Sequence, residues 1–161
     1  MVVIRAMQEE DLSEIIALEN SWDFLSKWGK QGYLAAINNP FMYFCFVAED
    51  SELTNAENAS RPLTGLAVLA QMVDHSEICN IIVAPAFLSK GVGQELLNTC
   101  LDLSEKLRFP RVLLEVRQSN ERAIRFYKKN GFQKIGERKD YYSDPRENAW
   151  VMERVIFQSS V

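Results

Sequence analysis

The residues best placed to do chemistry form a short glycine turn, Leu88-Ser89-Lys90-Gly91-Val92-Gly93. Before it runs an apolar segment, Ile78–Val83, closed by Pro85. After it, Val92, Leu96, Leu97, Cys100, Leu103 and Leu107 recur near the 3.6-residue period of an amphipathic helix. Strand, glycine turn and helix together present bare backbone N–H groups. The first turn of a helix has unpaired donors and a partial positive charge, and glycine puts no Cβ in the way of a phosphate. The same glycines also serve as plain turn or packing residues, so the turn alone names no ligand. It lacks the Gly-Lys-Ser/Thr of a Walker A loop and the G-x-G-x-x-G of a dinucleotide fold. His75 is the single histidine, which leaves neither a histidine metal cluster nor a Ser-His-Asp triad.

The elements that must position this turn follow from the rest of the chain. Val2–Arg5 is expected as a short strand, and Glu9–Asn20 as a helix with acids crowding its first turn. Its inner face is Leu12, Ile15, Ile16 and Glu19. Ser21–Trp28 is a junction carrying Trp22, Phe24 and Trp28, and a second helix over Lys27–Asn38 stops before Pro40. Phe41–Glu49 and Leu63–Val73 are strands, antiparallel across the polar segment Ser51–Pro62. Past the glycine helix, Pro110 introduces a strand at Arg111–Val116. Asn120 is placed to N-cap a helix reaching Asn130, with Ala123, Phe126 and Tyr127 on its inner face and Gly131 as its C′ residue. Phe132–Lys139 and Ala149–Phe157 are the last strands, joined by Asp140–Asn148. The order is β-α-α-β-β-β-α-β-α-β-β, a mixed α/β (α+β) domain over residues 1–161.

Composition agrees with that class. A chain of 161 residues, 47% hydrophobic and 25% charged, is globular and long enough for a sizeable core. No apolar run approaches the roughly eighteen residues of a membrane span, and the N-terminus has no signal-peptide pattern. Cys45, Cys79 and Cys100 lie apart in apolar segments and are expected as structural thiols in a reducing cytosol. No metal site is expected. A net charge of −4 disfavours direct nucleic-acid binding and suits a basic or amine substrate. A cytoplasmic protein without membrane contact, monomeric or weakly dimeric, is the expectation.

A second stretch carries more information than the glycine turn. The string Glu115-Val-Arg-x-Ser-Asn-x-x-Ala-Ile-x-Phe-Tyr-x-x-x-Gly-Phe132, taken with the turn, resembles the GNAT superfamily of N-acetyltransferases. Within it, the chain is most similar to the bacterial ribosomal-protein-alanine N-acetyltransferases. The likeness covers nearly the whole chain and is strongest from Asp74 to Met152.

The resemblance implies a fold and a chemistry. The fourth and fifth strands are expected to splay apart after Val83, and the arm of acetyl-CoA to slot between them. Backbone groups of Ile81, Ile82 and Val83 would pair with the pantetheine. Ser89, Lys90, Gly91, Val92, Gly93 and Gln94 would wrap the pyrophosphate, and a backbone N–H near Val83 would polarise the acetyl carbonyl. The family turn usually opens with Gln or Arg where Leu88 stands, so binding is expected to be weaker but present. Asn120 matches a cofactor-contacting position, although its N-cap role explains it without a ligand.

Direct transfer requires a base for the amine's proton and an acid for the departing thiolate of CoA. Glu115 matches the family base and Tyr127 the family acid. Glu77 competes as base, because related lysine acetyltransferases carry their glutamate there; Glu115 equally suits a sheet-edge ion pair, and Tyr127 a plain core aromatic. Trp22, Phe24, Tyr141 and Tyr142 would line the acceptor groove, though the aromatic junction lacks the family's Pro-Trp pair and would equally cap a core. Protonation bears on the acceptor. An α-amino group is about one-tenth neutral at pH 7 and a lysine only about 0.04%, so deprotonation costs about 1.2 against about 4.6 kcal/mol. A single carboxylate acting through water suits the easier task, a protein N-terminus. The alternatives are a small-molecule amine as acceptor and, in a different class, a degenerate domain kept for protein interaction.

Overall fold

The structure, a computed structural model, describes residues 1–23, 25–54 and 61–158. The middle of the predicted Ser51–Pro62 segment and Phe24 lie outside the described residues. In chain order the elements are β1 (Val2–Ala6), α1 (Leu12–Asn20), α2 (Gly29–Ile37), β2 (Tyr43–Asp50), β3 (Leu63–Gln71), β4 (Ser76–Val83), α3 (Val92–Lys106), β5 (Arg111–Arg117), α4 (Glu121–Lys129), β6 (Gln133–Ser143) and β7 (Arg146–Val155). The described residues form a seven-stranded sheet ordered β1-β2-β3-β4-β5-β7-β6. All neighbours are antiparallel except β4 and β5. The element order is the predicted one.

The sheet is covered on both faces, which makes β3 apolar without alternation: eight of its nine residues are buried. Ala67 and Leu69 join the core under α3 and α4, while Leu66 and Val68 join the core under α1 and α2. Val92, Leu96, Leu97 and Cys100 hold α3 down, as its spacing predicts, and Leu96 and Leu97 are fully buried. Each such leucine contributes about 1.5–3 kcal/mol. Leu107, expected on that stripe, is the exposed C-cap, and Leu101 and Ser104 complete the face instead. Asn120 caps α4, its Oδ1 accepting the N–H of Ala123 at 3.2 Å, and Gly131 has the left-handed φ of +86° that ends the helix.

Four boundaries differ from expectation, each for a physical reason. Glu9–Asp11 is a 3-10 turn and α1 begins at Leu12, because the Asp11 carboxylate is engaged by Arg5 (2.8 Å) and by the Gln8 N–H (2.8 Å). The second helix begins at Gly29, where the Glu19 carboxylate receives its first N–H groups. The splay begins after Ile78 and not after Val83: β4 and β5 pair only at Ser76–Val112, Glu77–Leu113 and Ile78–Leu114. Val68 faces Asn80 while Leu69 faces Ile78, so Cys79 is an extra residue, and such a bulge twists its strand away from its neighbour.

The fourth difference is at Asp140–Asn148, predicted as a connection. Most of it is strand, with only Asp144 and Pro145 between β6 and β7, so Tyr141 and Tyr142 sit on β6. The segment has no period-2 pattern, since β6 is exposed and bulged between Arg138 and Tyr142. Its turn is held from elsewhere: the Arg117 guanidinium donates to the carbonyls of Asp144 (3.1 Å) and Pro145 (3.0 Å).

Candidate active site

The divergence of β4 from β5 opens two clefts that meet inside the sheet. The larger, about 520 Å³, lies between the end of β4, the glycine turn and α4. Gly91 has φ +86° and occupies the N-cap of α3 with no side-chain cap bond, so the first-turn N–H groups of a fifteen-residue helix face outward. Ser89, Gly91, Gly93 and Gln94 line this cleft. The other two predicted turn residues point elsewhere. Val92 is 2% exposed in the core, and the Lys90 ammonium lies over the Phe87 ring, 5.1 Å from its centroid. The Gln94 carboxamide is a strut to α4, donating to Asn98 Oδ1 (2.9 Å) and Asn130 Oδ1 (2.7 Å).

Cations reach this cleft from α4. Arg122 and Lys129 line it, with Arg122 Nη2 3.3 Å from Ser89 Oγ. Sequence reasoning missed both, since charges on an exposed helix look like a solvated face. The available signal was spacing: residues 122, 126 and 129 share one helical stripe, and Phe126 lines the cleft too.

On β4 the backbone alternates. Ala84 N–H donates to the Thr64 carbonyl at 2.8 Å, so Ile82 and Ala84 turn their main chain to β3, and Ile81 and Val83 turn theirs into the splay. Of the three predicted strand positions, Ile82 therefore has its polar backbone groups in the ladder with Leu66. The Val83 carbonyl is already engaged by Trp22 Nε1 at 2.9 Å. Trp22, expected in the acceptor groove, lines the larger cleft, because that bond draws its indole across the end of β4.

The smaller cleft, about 140 Å³, lies on the other side of the splay. Glu115, Tyr127, Asn120 and Tyr142 come together here with Leu25, Trp28 and Asn80. Tyr127 and Asn120 line both clefts. The Tyr127 phenol makes no hydrogen bond with the described residues, and burial raises its pKa. Glu115 Oε1 receives Arg138 Nε at 2.6 Å. Tyr141 lies beside the same carboxylate, and hydrogen bonding to Glu115, followed by burial, pushes its phenol up to about 12. Tyr142 packs on Tyr141 and under the Arg117 guanidinium, 4.1 Å from the ring centroid.

Glu77 faces Leu113 across the paired part of the two strands, two positions from Glu115. Its carboxyl is raised by burial and then by the Glu115 charge, against smaller opposing effects of His75 and Arg138. Of the two candidate bases only Glu115 lines the cleft that Tyr127 lines. Arg117 and Asn80 went unnoticed in the sequence. Arg117 stood inside the informative string, yet its work of pinning the β6–β7 turn is visible only once the turn is beside it.

The sequence model of the Acetyltransferase (GNAT) family matches residues 7–132. The chain belongs to this family. It is an acetyl-CoA-dependent N-acetyltransferase. The acetyltransferase is 31% identical over 150 residues to a Bacillus subtilis (strain 168) protein whose name assigns it provisionally to the [ribosomal protein bS18]-alanine N-acetyltransferases, covering 92% of each chain. The crystal structure of the ribosomal-protein-S18-alanine N-acetyltransferase of Escherichia coli is similar with a TM-score of 0.82, at 26% identity over 99% of this chain and 97% of that one. A variant of the Vibrio cholerae spermidine N-acetyltransferase shares the fold, with a TM-score of 0.77 at 24% identity over 96% and 93% of the two chains. The fold thus serves more than one kind of acceptor.

The larger cleft of this acetyltransferase fits coenzyme A on three observations. The strand edge past Ile78 is unpaired on the β5 side, the α3 N-terminus is uncapped by any side chain, and two cations stand opposite. No helix among the described residues is long and apolar enough to cross a membrane.

Proposed function

We propose that this chain transfers acetyl to the N-terminal α-amine of a protein, of the ribosomal-protein-alanine type, with acetyl-CoA in the larger cleft and the acceptor in the smaller. The observation that carries this is the meeting of the two clefts at Tyr127, with Glu115 on the acceptor side. The names of the relatives support the same acceptor. Main-chain groups of Ile81 and Val83 would hold the pantetheine, and Ser89, Gly91 and Gly93 with Arg122 and Lys129 the phosphates. When bound, acetyl-CoA supplies the acetyl group as a thioester.

The chain's own groups do the proton work. Glu115 takes a proton from the amine, through a water, which is the modest task an α-amine sets at neutral pH. Tyr127 keeps its proton because burial raises its pKa, the state a general acid needs, and directs it to where the departing sulfur leaves. Tyr141 and Tyr142 hold the acceptor backbone from β6, and Trp22 closes the cofactor slot. Residues 1–161 act as one catalytic domain, cytoplasmic and monomeric or weakly dimeric, without nucleic acid or membrane as partner. The deciding experiment screens N-terminal peptides, alanine-led ones included, against polyamines and other small amines, scoring CoA release. Turnover of peptides is expected. Turnover confined to small amines would replace the N-terminal assignment with a small-molecule one.

A further inference from the structure

A buried carboxylate that the chemistry above leaves unused lies near the end of α1. Glu19 is 2% exposed, and its two oxygens accept the backbone N–H groups of Trp28 (3.1 Å) and Gly29 (3.0 Å) at the start of α2, a helix with no side-chain cap of its own. The Tyr33 phenol, fully buried on α2, lies against the same carboxylate, and burial and then Glu19 raise its pKa. Asn80 Nδ2 donates to Tyr33 Oη at 3.0 Å.

The bond between Asn80 and Tyr33 fixes the amide. The phenol oxygen accepts from Asn80 Nδ2, so the carboxamide turns its NH₂ toward Tyr33 and its oxygen the other way. That leaves the phenol's own proton for the neighbouring Glu19 carboxylate, which offers only lone pairs. Asn80 follows the bulged Cys79 and lines the smaller cleft. Its Oδ1 has no partner among the described residues. No sealed side-chain polar atom among them lacks a partner, so this oxygen is open to the cleft.

We propose that Asn80 Oδ1 accepts a hydrogen bond from the N–H of the acceptor amine, with its orientation set by Tyr33 and Glu19. The proposal rests on the smaller cleft being the acceptor site. An amine carries N–H donors in both its neutral and charged forms, so the lone pair serves it before and after proton loss. Asn80 is a substrate-binding residue, and Tyr33 and Glu19 are positioning residues: without them the amide flips and offers the amine a second donor.

The test is a steady-state cycle with an alanine-led peptide, acetyl-CoA binding being followed by calorimetry in every variant. Asn80→Ala should raise the peptide KM about tenfold and leave acetyl-CoA affinity unchanged. Asn80→Ser, which keeps an acceptor oxygen, should recover part of that loss and serves if the alanine variant fails to fold. Tyr33→Phe alone should raise the peptide KM about threefold, yet add nothing in the Asn80→Ala background. An unchanged peptide KM in Asn80→Ala, or additive losses in the double variant, would overturn the proposal while leaving the acceptor site standing. A wild type that turns over no peptide would overturn both.

Discussion

The two clefts that meet at Tyr127 are built from different materials. The proposed cofactor side is main chain: the edge of β4 past Ile78, the left-handed Gly91 and the free first turn of α3, all within one stretch of sequence. The proposed acceptor side is side chain. Leu25 and Trp28 come from the α1–α2 junction, Asn80 from β4, Glu115 from β5 and Tyr142 from β6. A main-chain site depends on backbone shape more than on side-chain identity. A side-chain site depends on distant elements arriving in register, so its specificity can change without any change in the cofactor machinery.

Substitutions should separate the two sides, and the largest effect belongs to Tyr127, one of the residues they share. Tyr127→Phe keeps the ring and removes the proton, so kcat should fall about 10²–10⁴-fold, with acetyl-CoA affinity and Tm nearly unchanged. A drop in Tm that accounts for the lost activity would make Tyr127 a core aromatic and nothing more. Gly91→Val strikes the cofactor side alone. A φ of +86° disfavours a β-branched residue by about 1–3 kcal/mol, so the acetyl-CoA Kd should rise about tenfold or more while the peptide KM stays put. Both constants moving together would break the division.

Trp22→Phe sharpens the same boundary. It removes the donor to the Val83 carbonyl, a bond worth about 0.5–1.5 kcal/mol, and should weaken acetyl-CoA binding about two- to tenfold with little effect on the peptide KM. A selective change in peptide KM would return Trp22 to the acceptor groove. The smallest effect concerns Glu77. Its folded carboxyl is raised, so the folded state binds that proton more tightly than the unfolded chain does. Stability is therefore lost as pH climbs from the ordinary carboxyl value through the raised folded one, and the loss is complete above it. Glu77→Gln should raise Tm at pH 8 by an amount that shrinks as pH falls toward 4. A gain independent of pH would assign the effect to packing.

The division also explains what the sequence disclosed. Apart from Leu107, the apolar period of α3 is local, as are the Asn120 cap, the Gly131 stop and the strand–turn–helix at Gly91, and the structure has them where the spacing puts them. The splay was foreseen as a feature but misplaced by five residues, since the bulge at Cys79 arises from pairing with β3 and leaves no mark in an apolar run. The exposed β6 hid because a strand with no buried face has no alternation. Arg122, Lys129, Arg117 and Asn80 were silent for a common reason: Arg122, Arg117 and Asn80 act on partners at least 27 residues away, and Lys129 shares a cleft with a turn distant in sequence.

The central claim is that Glu115, and not its neighbour Glu77, removes the amine proton in the cleft that Tyr127 completes. The pH dependence of kcat/KM for Glu115→Gln and Glu77→Gln, run side by side on one N-terminal peptide, tests it directly. Glu115→Gln should lose most activity at low pH, where the amine is mostly protonated, and recover in part as pH approaches the amine's own value near 8. Glu77→Gln should stay close to wild type across the range. Abolished turnover in a folded Glu77→Gln protein, beside a nearly wild-type Glu115→Gln, would contradict the account.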